Sequence, residues 1–119
     1  MNEIRAAFDR EGRQSQRKFH SRLKTLSQLP YTQWTAGGVL CRDLHGDCAG
    51  LTEIRFLADN VQQRPLGFRS GPEEFTIVLW AHEKGGKWEE TNACSIALQR
   101  KHEIEKLKVR TDALWLPLQ

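Results

Sequence analysis

Phe75-Thr76-Ile77-Val78-Leu79-Trp80-Ala81-His82 is apolar on both faces until its last residue, the composition of a central strand covered on both sides. One face reads Thr76, Val78, Trp80 and His82, and continued alternation brings Lys84 to the same side. Upstream, Leu51 to Ala58 alternates as a strand that sends Ile54, Phe56 and Ala58 into a core and Glu53 and Arg55 to the other face. Arg64 to Arg69 reads as a weaker strand, because Pro65 cannot donate to a ladder and points to an edge or a bulge. Lys84-Gly85-Gly86-Lys87 follows, and then a helix that Thr91 or Asn92 can cap, with Ala93, Ile96, Ala97, Ile104 and Leu107 as its apolar stripe. Successive strands with cations at their ends hold positive charge at one place on a small sheet. That arrangement suits a polyanion, RNA or DNA.

The first nine residues alternate, Ile4, Ala6 and Phe8 against Arg5, Ala7 and Asp9, the period of a half-buried strand. Asp9-Arg10-Glu11-Gly12 reads as a turn. From Ser15 the spacing of Phe19, Leu23 and Leu26 predicts a helix that stops before Pro30, with Arg13, Arg17, Lys18, Arg22 and Lys24 on its outer face. Tyr31 to Gly50 reads as a short helical turn around Trp34 and then loop. Leu114, Trp115, Leu116 and Leu118 form an apolar cluster that must fold back on the chain or bury itself against another one.

The length, 119 residues, fits a single domain over residues 1–119 with one core. Eighteen Lys and Arg against 15 Asp and Glu leave a net charge of +3, so placement rather than total charge has to carry any nucleic-acid reading. Three scattered cysteines, Cys41, Cys48 and Cys94, and a start without signal-peptide character indicate a reducing cytoplasm. No apolar run reaches the roughly 20 residues that span a bilayer, so no membrane partner is expected. Cys41, His45 and Cys48 have ligand chemistry, but tetrahedral zinc would need a fourth ligand.

Gly50-Leu51-Thr52-Glu53-Ile54-Arg55-Phe56, Arg64-Pro65-Leu66-Gly67-Phe68, Phe75-Thr76-Ile77-Val78-Leu79 and Glu83-Lys84-Gly85-Gly86-Lys87-Trp88, with Ala93-Cys94 opening a helix, together resemble the RelE/HigB-like toxins of bacterial type II toxin-antitoxin systems, in particular their phage-derived branch. The resemblance covers residues 50 to 105. It implies an α+β fold, a small twisted antiparallel sheet with helices packed mainly on one face. It also implies cleavage of messenger RNA, commonly on the ribosome, without metal or other cofactor, and a cognate antitoxin as partner. By position, Arg55, Arg64 and Lys84 match basic positions of the family pattern, and Lys87 stands in for its second lysine.

Cleavage at a ribose needs an acid or base, cations for the phosphorane and a donor for the leaving oxygen. Arg55, Arg64, His82 and Lys84 are the catalytic candidates, His82 as the acid or base. Trp80, as a stacking platform, and Lys87 and Arg69 are the RNA-binding candidates. Replacing Arg55, Arg64 or Lys84 is expected to leave folding intact. The chain departs from the pattern in separating Lys84 from Lys87 by two glycines and in lacking a catalytic group after residue 107. Each candidate also has a plainer role: Arg55 and Glu53 as a surface ion pair, His82 as a strand end, Trp80 as core, Lys84 to Lys87 as an ordinary turn. The alternative functions are a RelE/ParE-fold toxin acting on a protein such as DNA gyrase, and a non-catalytic phage-derived binding protein. The apolar tail would then meet an antitoxin or a second copy in a homo-oligomer.

Overall fold

A computed structural model describes residues 3–107 and 115–117 of the chain. The fold is α+β. In chain order the elements are α1 (Glu3–Arg10), α2 (Arg13–Ser27), β1 (Cys41–Asp43), β2 (Thr52–Ile54), β3 (Phe56–Ala58), β4 (Val61–Gly71), β5 (Glu74–Lys84), β6 (Lys87–Trp88), α3 (Ala93–Leu107) and β7 (Trp115–Pro117), with short 3₁₀ turns at Tyr31–Gln33, Ala36–Gly38 and Gly46–Cys48. The antiparallel sheet runs β1-β2-β4-β5-β6, with β3 also on β4 and β7 also on β5.

The two long strands, β4 and β5, are the spine, and a bulge organises them. Leu66 pairs with Leu79 but Gly67 pairs with Ile77, so Val78 is the extra residue. Its carbonyl oxygen accepts a hydrogen bond from Arg100 Nη1 of α3 at 2.6 Å. The bulge resets the alternation. Phe75, Ile77 and Trp80 join the core with Ile4, Phe8, Phe19 and Leu26 of α1 and α2, while Val78, Leu79 and Ala81 pack with Ala93 and Ala97 of α3. Thus α1 and α2 cover one face and α3 the other, and β5 is buried on both, as its composition predicts. The expected alignment of Thr76 and Val78 with Trp80 and His82 is corrected, because the extra residue turns Trp80 and everything after it to the opposite side.

Pro65 sits inside a paired strand rather than at the sheet edge. It is tolerated because the neighbouring strand is broken opposite it: β2 ends at Ile54, β3 begins at Phe56, and the Arg55 N–H turns away to the Leu40 carbonyl oxygen at 2.9 Å. Leu51 to Ala58 is therefore two short strands instead of one. The N-terminal strand reading is also corrected, since residues 3–10 are helical. Ile4 and Phe8 lie four apart, so they share a helix face as readily as they fit a period of two, and both are buried.

The second helix follows its expected stripe, with Phe19 and Leu26 buried. Trp34 closes its end by donating its indole N–H to the Leu26 carbonyl oxygen at 3.0 Å. The loop reading of Tyr31 to Gly50 missed β1, which pairs with β2 from Cys41 opposite Ile54 to Asp43 opposite Thr52. A strand of three residues carries too little periodicity to be read alone. Asn92 has a φ of 58° just before α3, and its carbonyl oxygen accepts from the Ile96 N–H. The backbone of β7 pairs with Glu74 to Thr76, so residues 115–117 belong to the chain's own sheet, whereas Leu114 and Leu118 lie outside the described residues.

Gly67 is the closest approach in the sheet: a Cβ built there would press on the Thr76 carbonyl oxygen and come 2.5 Å from the Phe75 ring. Gly67→Ala is expected to cost about 1–3 kcal/mol of stability, the range for forced overpacking, read as a lowered midpoint in urea denaturation.

Candidate functional site

The predicted residues fall into three places. His82, Lys84 and Lys87 gather at one end of the sheet on the α1/α2 side, Arg55 and Arg64 belong to an ion network on the α3 side, and Arg69 stands at the far end.

His82 is held on both ring nitrogens. Nδ1 donates to Glu90 Oε2 at 2.6 Å and Nε2 to Glu11 Oε2 at 2.9 Å. Glu11 comes from the turn between α1 and α2, where its other oxygen accepts from Ser15 Oγ at 3.0 Å. Glu90 precedes α3, and its Oε1 also accepts the His82 backbone N–H at 2.7 Å. Burial pulls the imidazole pKa down, but the hydrogen bonds and charges of Glu90 and Glu11 outweigh it, and the net shift is upward. The two carboxylates favour the protonated ring and also shield it from an approaching phosphate. Neither glutamate was singled out in the sequence, because each lies far along the chain from His82 and only folding brings them together.

Lys84 and Lys87 are directly opposite each other across the β5–β6 hairpin. The turn between them is Gly85-Gly86 with φ of 61° and 78°, the pair of positive values that a tight two-residue hairpin requires and that glycine adopts without strain. Both lysines are exposed, and neither makes a salt bridge among the described residues. The two glycines thus bring together the cations they separate in sequence.

Arg64 is corrected as a substrate-facing group. It is 3% exposed, and each of its three nitrogens is engaged: Nε with Glu83 at 3.1 Å and Glu53 at 3.4 Å, Nη1 with the Gln63 carbonyl oxygen at 2.8 Å, and Nη2 with Gln62 Oε1 at 3.0 Å. Glu53 is buried too, not presented on an open face, and also accepts from Arg55 Nη1 at 3.0 Å. Burial raises the Glu53 carboxyl pKa, with Arg55 and Arg64 pulling it back and Glu83 adding to the rise. Arg55 remains half-buried, with part of its side chain open to solvent.

Trp80 is likewise corrected. It is 4% exposed, packs edge-on to Phe19 with ring centroids 4.8 Å apart, and donates its indole N–H to Gln63 Oε1 at 2.8 Å. No base can stack on it. Arg69 lies five residues from Arg64 along β4, roughly 16 Å at strand spacing. Its guanidinium covers the Tyr31 ring at 5.0 Å and Nη2 donates to the Pro72 carbonyl oxygen, so it does not join the other candidates.

Cys48 forms a disulfide with Cys94, their Cα atoms 5.1 Å apart, tying the turn before β2 to the first residues of α3; the expectation of reduced thiols drawn from the scatter of the three cysteines is corrected, because folding brings two that are 46 residues apart into bonding distance. Cys41 is buried and its thiol is pushed up to about 12 by that burial. Cys41, His45 and Cys48 therefore do not assemble as a ligand set, and among the described residues no group of three potential metal ligands occurs. Comparison of the chain with protein-family models, curated proteins and solved structures finds no match.

Two outcomes follow from the geometry. Arg64→Ala empties a buried guanidinium site that holds Glu53, Glu83, Gln62 and the Gln63 carbonyl together and is expected to cost about 3–5 kcal/mol, whereas Arg55→Ala leaves Arg64 beside Glu53 and opens the carboxylate to solvent at a partly exposed position, so it costs less; guanidinium denaturation of both variants compares them. The expectation that Arg64 can be removed without touching the fold is thereby reversed. For His82, the folded pKa lies above the unfolded value. Its stabilising contribution is complete below an unfolded pKa of about 6.5 and is lost as pH rises through the folded value. Stability measured from pH 6 upward should fall, and His82→Gln should flatten that slope.

Proposed function

We propose that the chain is a RelE/HigB-like toxin that binds and cleaves translated messenger RNA in the cytoplasm without a metal, restrained by a cognate antitoxin. The observation that carries this reading is the Lys84–Lys87 pair. Like charges directly opposite on a hairpin repel and destabilise it, and here neither lysine is in a salt bridge among the described residues. A phosphate bridging the two ammonium groups would offset that repulsion. His82 lies on the same side of β5 as Lys84 and can supply the proton for the leaving oxygen. Arg55 adds a partly exposed cation from the neighbouring network, and Arg64 acts through it as a positioning residue by holding Glu53. The α+β fold, with its antiparallel sheet, agrees with the resemblance. Among the described residues no helix is long and apolar enough to cross a membrane.

A second reading is favoured by the carboxylates at His82. Glu11 and Glu90 repel a phosphate at the imidazole, as expected if the chain grips a protein target such as DNA gyrase or serves as a non-catalytic binding protein.

One experiment separates them. In a translating extract with a zinc-selective chelator that leaves its magnesium in place, the toxin reading expects messenger cleavage by the wild-type chain. Lys84→Ala and Lys87→Ala should each lose about 2–4 kcal/mol of transition-state stabilisation while their melting temperatures hold. Intact messenger with inhibited supercoiling would establish the gyrase reading, and intact messenger with no inhibition the binding-protein reading.

A further inference from the structure

Between α2 and β3 runs a groove of about 350 Å³ lined by Lys18, Ser21, Arg22, Thr25, Phe56 and Leu57. The four helical residues recur at the three-and-four spacing of one helix face, so a single stripe of α2 looks onto the strand. The helix is strongly one-signed: its sequence holds Arg13, Arg17, Lys18, Arg22 and Lys24 and no acidic residue. None of these five cations makes a salt bridge among the described residues. Arg22 gives its Nε to the Arg55 carbonyl oxygen at 3.0 Å, which fixes the side chain against the strand while both terminal nitrogens keep their donors.

The backbone on the other side of the groove is incomplete. Strand β3 pairs only with β4, in the register Phe56 to Gln63, Leu57 to Gln62 and Ala58 to Val61. By alternation, the peptide groups of residues 55, 57 and 59 point to the open edge. Two of these positions are met. Arg55 donates to the Leu40 carbonyl oxygen and accepts from Arg22, and the Asp59 N–H donates to Gln14 Oε1. Leu57 has no such partner among the described residues, and its side chain is 50% exposed. An unmet donor and acceptor, an exposed leucine and a ridge of uncompensated cations therefore share one groove.

We propose that the α2–β3 groove docks an extended acidic segment of a partner protein. The segment's backbone pairs with Leu57 at the open edge of β3, an apolar side chain packs on Leu57, and carboxylates meet Lys18 and Arg22. RNA is the competing occupant, since its phosphates would satisfy the cations. It would leave the strand edge and the leucine unmatched, and those two features decide for peptide. The inference is independent of any nuclease activity.

The test uses the full chain and four labelled probes: an octapeptide of alternating Glu and Val, the same peptide with every backbone nitrogen methylated, its Lys–Val counterpart, and a single-stranded uridine decamer. The Glu–Val peptide should bind and slow hydrogen exchange at the Leu57 amide. Backbone methylation should weaken binding by about tenfold or more, since the added strand loses its donors. Lys18→Glu, a change at an exposed position, should weaken it by about tenfold at low salt, with the fold checked by circular dichroism. Tighter binding of the uridine decamer in competition, undiminished binding of the methylated peptide, indifference to Lys18→Glu, equal binding of the Lys–Val peptide, or no binding of the Glu–Val peptide would each overturn the proposal.

Discussion

A single extra residue in β5 sets the sidedness of everything that follows it. With Val78 bulged against the Leu66–Gly67 step, Ile77 and Trp80 fall on one face although they lie three positions apart, and Val78, Leu79 and Ala81 fall on the other. Both faces of β5 can then be covered, α1 and α2 on one and α3 on the other. Without the bulge, period-two alternation would put Trp80 beside Thr76 and Val78 and turn its indole away from Phe8, Phe19 and Phe56. The Arg100 hydrogen bond to the bulge carbonyl ties this irregularity to α3, so that carbonyl is satisfied by the element it helps to seat.

The same shift fixes the polar end of the sheet. Beyond Trp80, His82 and Lys84 continue on the α1/α2 side, while Ala81 and Glu83 continue on the α3 side next to Arg64. Charge is therefore sorted into two sets with different duties. Glu53, Arg64 and their neighbours are buried and mutually satisfied, an arrangement that costs desolvation and is stable only while every member keeps its partner. Lys84 and Lys87 are exposed and unsatisfied, and they remain open to an anion. His82 lies between these extremes: it clamps the turn before α2 to the segment before α3 through Glu11 and Glu90, and that same clamp shields its ring.

Much of the scaffold was determined by the sequence alone. The two-sided apolar run of β5, the stripe of α2 and the two-glycine hairpin are local signals, because burial on both faces, helical periodicity and positive φ each leave a mark within a few residues. The α+β class, implied by the resemblance, is what the structure shows. Residues 3–10 were misread because eight residues fit two periods equally, and only packing of Ile4 and Phe8 against β5 selects the helix. Tertiary structure alone decided the roles of the cations. Arg64 and Lys84 look alike in sequence, yet one is enclosed by Glu53, Glu83 and Gln62 from three strands and the other projects from a turn. Pairing of charges depends on which distant carboxylates the fold delivers, and neither composition nor periodicity encodes that over the separations from Glu11 to His82 or from Glu53 to Arg64.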